Sequence, residues 1–278
     1  MSQFHIAHII PHPRIHGLNG YAEVIETVSW GLEQLGHRVS YRVNDFATDA
    51  TNIIFGAQVL PVEYQKQLPG DTIVYNIEQI GNLPLGEIRP EIRHYAENFR
   101  IWDYSHANLR AWTALAPGQE VRVVPIGFAP VLTRIAKPAL QDIDVLIYGM
   151  TGQERLEIFH QLSRSGVSTV FISGLYGAAR DALIARSKIV LNVNLYAFAR
   201  IFEIVRVSYL LANRKAVVAD EAEDTLIDPD IRSVIRLAPL SGIMDTCLSL
   251  IDDEKERARL EEAGYLAIRQ RDIVKILK

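Results

Sequence analysis

Cysteine is nearly absent from this chain: Cys247 is the single one in 278 residues. That excludes an intramolecular disulfide and any cysteine-based metal cluster, and it leaves Cys247 as a small apolar side chain expected inside a core. Positive charge is not in excess either. Lys and Arg number 29 against 33 Asp and Glu, a formal charge of −4, and the basic residues are dispersed. Such a chain lacks the cationic surface on which phosphate-backbone recognition depends, so no nucleic-acid partner is expected. No apolar run approaches the ~20 residues of a membrane span. The N-terminus runs directly into FHIAHII, with no basic leader or cleavage site. A cytoplasmic protein without a transmembrane segment is expected.

What is present is a globular composition, 49% apolar and 22% charged, long enough for two compact domains of ~140 residues each. Strand-like and helix-like patterns alternate. Strands are predicted over 4–10, 38–43, 52–55, 72–77, 100–102 and 122–125, with helices over 21–35, 91–98 and 107–114. Gly36 ends the first helix as a left-handed capping residue would. Pro130 and Pro138 flank a segment without a clear period, after which the alternation restarts. The second series has strands over 144–148, 168–172, 188–193, 216–219 and 233–237, with helices over 153–165, 178–186, 202–211, 243–251 and 254–270. Strands separated by helices require crossover connections, hence parallel sheets.

The predicted fold is therefore α/β, with two Rossmann-like domains whose parallel sheets face across a cleft. The N-terminal domain spans 1–135 and the C-terminal domain 140–278, with the last helices able to pack back on the first domain. Open sheets of this kind bind ligands beyond the carboxyl ends of their strands. Neither half carries G-x-G-x-x-G, which disfavours a dinucleotide-dependent oxidoreductase.

Four stretches at predicted strand ends carry the candidate chemistry. In PHPRIHGLNG, after the first strand, His16 is an imidazole able to act as general base near neutral pH, and Asn19 stands beside it. A histidine that merely bonds the loop is the plainer alternative. In YNIEQ, Glu78 follows the fourth strand, placed either to accept hydrogen bonds or a proton or to lie as a surface carboxylate. WDYSHAN adds Asp103, Tyr104 and His106, a polar and aromatic group suited to carbohydrate recognition on the acceptor side. In YGMTGQER a strand ends at Gly149, Thr151 and Gly152 form the turn, and Arg155 lies in the first turn of the next helix. Free N–H groups, the helix dipole and a guanidinium together suit a diphosphate, and a structural ion pair from Arg155 is the alternative.

The fourth stretch, KIVLNVNLYAFARIFEIVRVSYLLANRKAVVADE, has a strand ending near Asn194, then Arg200, then Glu203 and Arg206 three apart on one helical face. A charged pair interrupting an apolar segment needs a reason, and ribose and phosphate binding supply one.

These motifs resemble the donor-binding half of GT-B glycosyltransferases, in particular a CgeB-like, family-1-like bacterial group. The similarity lies in YGMTGQER, ARDALIARSKIVLNVN and FEIVRVSYLLANRKAVVADE, and more loosely in the PHPRIHGLNG loop with its helix and in YNIEQ. It implies transfer of a sugar from a nucleotide-sugar donor to a saccharide, lipid-linked or other hydroxyl acceptor, with no cofactor and no catalytic metal. It implies that Glu203 binds the donor ribose, that Arg155 and Arg206 face the diphosphate, and that His16 or Glu78 serves as base. The sequence departs from the family in having Leu195 where a second glutamate, eight residues before Glu203, is usual. Asp142 with Asp144, and Asp228 with Asp230, match the Asp-x-Asp pattern of metal-dependent transferases, but the first pair enters a strand at its amino end and the second lies in a Pro-containing loop. A sugar-nucleotide epimerase and a nucleotide-sugar-binding pseudoenzyme are the alternative readings.

Overall fold

The structure, a computed structural model, describes residues 1–12, 16–81, 85–195 and 200–278, and the side chains of 16–18 and 85 stand outside that description. The chain divides into two compact units. One comprises 1–126 together with 272–278, the other 127–271.

Unit 1 begins with β1 (Gln3–His8), α1 (Ala22–Gln34), β2 (Arg38–Val43), β3 (Thr51–Phe55), α2 (Val62–Gln65) and β4 (Ile73–Asn76). It continues with α3 (Pro90–Asn98), β5 (Arg100–Asp103), α4 (Leu109–Leu115) and β6 (Val121–Val123). All six strands are parallel, in the order β2-β1-β3-β4-β5-β6. The central strands β3 and β4 read as largely apolar runs because both faces are covered, whereas β2 at the sheet edge is mostly exposed. Ala7, Ile54, Val74 and Ile101 pack with Ile92 and Tyr95 of α3 and Trp112 of α4.

Unit 2 comprises β7 (Ile143–Tyr148), α5 (Gln153–Arg164), β8 (Thr169–Ile172), α6 (Gly177–Arg186), β9 (Ser187–Asn192) and α7 (Ile204–Ala212), then β10 (Ala216–Asp220), α8 (Pro229–Arg232), β11 (Arg236–Ala238), α9 (Ile243–Asp252) and α10 (Glu254–Gln270). Its five parallel strands run β11-β10-β9-β7-β8. Leu146, Val190 and Val217 face α6, α7 and α10 on one side. Val145, Ile189, Leu191 and Val218 face α5 and α9 on the other, where Cys247 is fully buried. Burial pushes that thiol up to about 12, in keeping with a core residue.

One feature differs from the sequence expectation and a second narrows it. The division falls at 126/127 rather than in 135–140, because Phe128 and Leu132 are buried in the core of unit 2. The last element, α11 (Ile273–Leu277), belongs to unit 1, where it packs on α1. A Cβ on Gly31 of α1 would stand 2.8 Å from Leu277 Cδ1 and 3.0 Å from Ile273 Cγ1, so a helix-interior glycine is needed for that approach. Only this short helix joins unit 1, since α9 and α10 stay in unit 2. Among the described residues, no helix is long and apolar enough to cross a membrane.

Candidate functional site

In unit 2 the site is built at the carboxyl edge of the sheet, where β7, β9 and β10 end at Tyr148, Asn192 and Asp220. Gly149 follows β7 with φ +130°, a conformation that favours glycine. A Cβ there would lie 2.8 Å from Arg206 Nη2 and 3.1 Å from Arg155 Nη1. The turn thus accepts two guanidinium groups against its bare backbone. Thr151 is exposed and Gly152 is the N-cap of α5, without a side-chain cap, so helix-start N–H groups remain for a ligand. The first turn of α5 also carries Glu154, and an open pocket beside it is lined by Gln153, Glu154, Glu157 and Leu195. That acidic lining does not suit a diphosphate, so the attraction for an anion falls to Arg206.

Arg206 sits in the first turn of α7, whose N-cap is Glu203. Its Nη1 donates to Asn192 Oδ1 at 2.7 Å, and its guanidinium carbon lies 5.3 Å from the centre of the Tyr148 ring. Glu203 Oε2 is 3.9 Å from Arg206 Nη2, and the Glu203 side chain is 28% exposed. This carboxylate is therefore close enough to balance the cation yet open to donors from a ligand. At the end of β9, Asn192 Nδ2 and Asn194 Oδ1 are buried without hydrogen-bond partners. The Asn194 N–H donates to Asp220 Oδ1 at 2.9 Å. Burial is the main cause pushing the Asp220 carboxyl up to about 6, opposed by that N–H and by Arg155.

Two of the expected donor residues have other tasks. Arg155 is 1% exposed. Its Nε donates to the Val193 carbonyl and its Nη1 to the Met150 carbonyl, both at 2.8 Å. It pins the 149–152 turn to the end of β9 instead of presenting an open guanidinium. Arg200 forms an ion pair with Asp224.

In unit 1, Glu78 stands just beyond β4 and is partly buried. Its Oε1 accepts from the Tyr21 hydroxyl and from Gln58 Nε2, both at 2.8 Å. Gln58 Nε2 is also 2.9 Å from the Tyr21 oxygen. Burial, with the Glu78 charge beside it, holds the Tyr21 hydroxyl well above the ordinary phenol range, so it remains a donor. The Glu78 carbonyl accepts from Asn76 Nδ2 and Asn108 Nδ2, each at 2.9 Å.

Asp103 is not a surface contact for an acceptor, as the sequence suggested. It is fully buried, and its carboxylate accepts from Asn76 Nδ2, Asn108 Nδ2, Trp112 Nε1 and the Ser105 N–H at 2.7–3.1 Å. Tyr104 is buried too, with 6% exposure. His106 is exposed in a short 3-10 turn, and Asn19 is partly buried in the 3-10 turn that precedes α1. The His16 backbone opens that same turn, while its side chain lies outside the described residues.

Each Asp-x-Asp pair is bound to cations of the chain itself. Asp142 pairs with Arg186, Asp144 with Lys188, and Asp228 and Asp230 with Arg271.

Sequence reasoning passed over Tyr21, Gln58, Tyr148, Arg180 and Asn192. The signal for Asn192 was its place two residues before Asn194, on the same face of an extended strand. Tyr148 was legible only as the last apolar residue of β7, and nothing local marks Tyr21 or Gln58.

No family model matches the chain. Uncharacterized protein L140 of Acanthamoeba polyphaga mimivirus is 26% identical over 242 residues, covering 85% of this chain and 75% of that protein. Three solved structures share the two-unit architecture. The Anabaena protein Alr3699/HepE, in complex with UDP and glucose, is 12% identical with a TM-score of 0.62, over 99% of this chain and 97% of that one. AviGT4, a glycosyltransferase involved in avilamycin A biosynthesis, is 17% identical with a TM-score of 0.56, over 99% and 95%. Sucrose-phosphate synthase from Thermosynechococcus elongatus is 10% identical with a TM-score of 0.58, over 98% and 95%. The fold is that of GT-B glycosyltransferase structures, two parallel-sheet α/β units of six and five strands.

Proposed function

We propose that the chain is a glycosyltransferase that uses a nucleotide-diphosphate sugar, and that within the GT-B fold it is nearest the CgeB-like, family-1-like group. The observation that carries this is the constellation of Gly149, Glu203 and Arg206 at one sheet edge, on a fold shared with a protein whose structure holds UDP and glucose. Glu203 accepts hydrogen bonds from the ribose hydroxyls. Arg206 and the N–H groups of the 149–152 turn meet the diphosphate, and Asn194 offers an unpaired carbonyl oxygen to a donor hydroxyl.

In the reaction, an acceptor oxygen forms a bond to the anomeric carbon while the bond from that carbon to the diphosphate oxygen breaks. The charge that develops on the departing diphosphate is stabilised by Arg206 and the turn. The acceptor proton passes to Glu78 or His16. Because nucleotide sugars are intracellular metabolites in this reading, the proposed location is the cytoplasm.

Two measurements test the proposal. Glu203→Ala is expected to weaken nucleotide-diphosphate affinity by roughly 1–3 kcal/mol through loss of paired ribose bonds. Titration calorimetry with UDP, TDP, GDP and ADP reads this directly, and unchanged affinity in a folded variant removes the donor assignment. The proposed chemistry uses no metal, because guanidinium and backbone dipoles take the place of the cation. Transfer is therefore expected to survive excess EDTA. Loss on chelation with recovery on Mn²⁺ or Mg²⁺ would bring the Asp-x-Asp segments back into consideration.

A further inference from the structure

Arg206 belongs to a longer row of stacked groups that runs away from the 149–152 turn. The Arg206 and Arg180 guanidinium carbons lie 5.3 Å and 5.9 Å from the centre of the Tyr148 ring. Arg180 also lies 4.7 Å from the Tyr209 ring, and Arg134 is 5.3 Å from that same ring. Cation and aromatic ring thus alternate through five side chains. Asp181 ties the far end: its Oδ1 accepts from Arg180 Nη2 at 2.8 Å, and its Oδ2 accepts from the Tyr209 hydroxyl at 2.8 Å.

The row is built inside the protein. Tyr148 is 8% exposed, Arg180 4% and Tyr209 2%. Of its two ends, Arg134 is 37% exposed, and Arg206, 15% exposed, is the one at the Gly149 turn, lying against the Tyr148 ring, Asn192 Oδ1 and the bare backbone of Gly149. An arginine on an open helix turn samples many rotamers and must lose that freedom when an anion binds. A ring face and an acceptor that already hold the guanidinium remove most of that loss beforehand.

We propose that Tyr148 is a positioning residue for the donor diphosphate, its ring face and the Asn192 carbonyl oxygen fixing the Arg206 guanidinium over the Gly149 turn, with Arg180 bracing the ring. The inference rests on the proposed donor site and adds to it the residues that select a diphosphate over a monophosphate. A nucleoside monophosphate carries the same base and ribose but lacks the second phosphate that Arg206 meets. Loss of positioning therefore lowers the preference between the two ligands and not affinity in general.

The test is titration calorimetry of wild type, Tyr148→Leu, Tyr148→Phe and Asn192→Ala with the pairs UDP/UMP, TDP/TMP, GDP/GMP and ADP/AMP, alongside the melting temperature of each protein. Wild type is expected to prefer the diphosphate of one pair. That preference falls about tenfold in Tyr148→Leu and in Asn192→Ala, and it is retained in Tyr148→Phe, which keeps the ring face. Should Tyr148→Leu fail to fold, Asn192→Ala decides alone. An unchanged preference in these variants overturns the positioning role while leaving the donor site standing. Equal weakening of both ligands, or loss of the preference in Tyr148→Phe, overturns it in the same way. Wild type that binds none of the diphosphates overturns the donor site itself, and this inference with it.

Discussion

Replacing Glu78 by glutamine is expected to lower turnover by ~10²–10⁴-fold while leaving nucleotide-diphosphate affinity nearly unchanged. The substitution keeps the size of the side chain and an oxygen able to accept from Tyr21 and Gln58, which now bond Oε1 at 2.8 Å. It removes the basicity that takes the acceptor proton. The Glu78 backbone is held independently, by Asn76 and Asn108 on its carbonyl, so the variant should keep its local geometry. Donor affinity is unaffected because the proposed ribose and phosphate contacts belong to unit 2. His16→Ala is the parallel measurement, from the turn before α1. If His16 is the base, its variant shows the fall in kcat and Glu78→Gln does not, and the rate drops as pH falls through the imidazole range. Near-normal turnover in both variants would exclude a side-chain base at these two positions and favour a retaining reaction or a proton transfer assisted by the substrate.

Asp103→Ala is expected to destabilise unit 1 by about 3–5 kcal/mol. Four donors converge on this fully buried carboxylate, from Asn76, Asn108, Trp112 and the Ser105 backbone. Alanine leaves the Trp112 and Ser105 N–H groups without an acceptor, and leaves Asn76 and Asn108 Nδ2 with the Glu78 carbonyl alone. Burial, the largest influence, pushes the Asp103 carboxyl up to about 6, against the hydrogen bonds that favour its charged form. With its folded-state pKa above that of the unfolded chain, the native protein binds this proton more tightly between pH ~4 and ~6. Stability from Asp103 is then greatest at the acid end of that window and declines as pH rises through it. The variant lacks this slope, so the stability gap between the two proteins narrows from pH 5 to pH 7. Urea unfolding followed by tryptophan fluorescence measures the effect cleanly, since Trp30, Trp102 and Trp112 all lie in unit 1. A gap below about 1 kcal/mol, or one that widens with pH, would contradict the buried-hub role.

The alternation of strand and helix was legible in the sequence because it depends on short-range periodicity. Apolar runs such as IVLN and AVVAD in strands buried on both faces, and apolar residues every three or four positions in α1 and α7, do not need a partner to be recognised. The parallel sheets follow from that alternation, and the turn after β7 was marked by its glycines. Glu203 and Arg206 were also marked locally, as charges interrupting an apolar helix.

What each polar group faces was decided by contacts from distant parts of the chain. Arg155 looked like a phosphate ligand in YGMTGQER, yet its Nε meets the Val193 carbonyl, 38 residues away. Asp103 looked like a surface contact in WDYSHAN, yet Asn76, 27 residues earlier on the neighbouring strand, closes over it. Arg200 was taken by Asp224, α11 returned to unit 1 through the bare surface of Gly31, and Tyr148 received arginines from two different helices. Sequence periodicity determines which residues are buried in a strand or helix. Whether a buried charge meets a carbonyl, a carboxylate or an open edge is settled only when the sheet order brings those groups together.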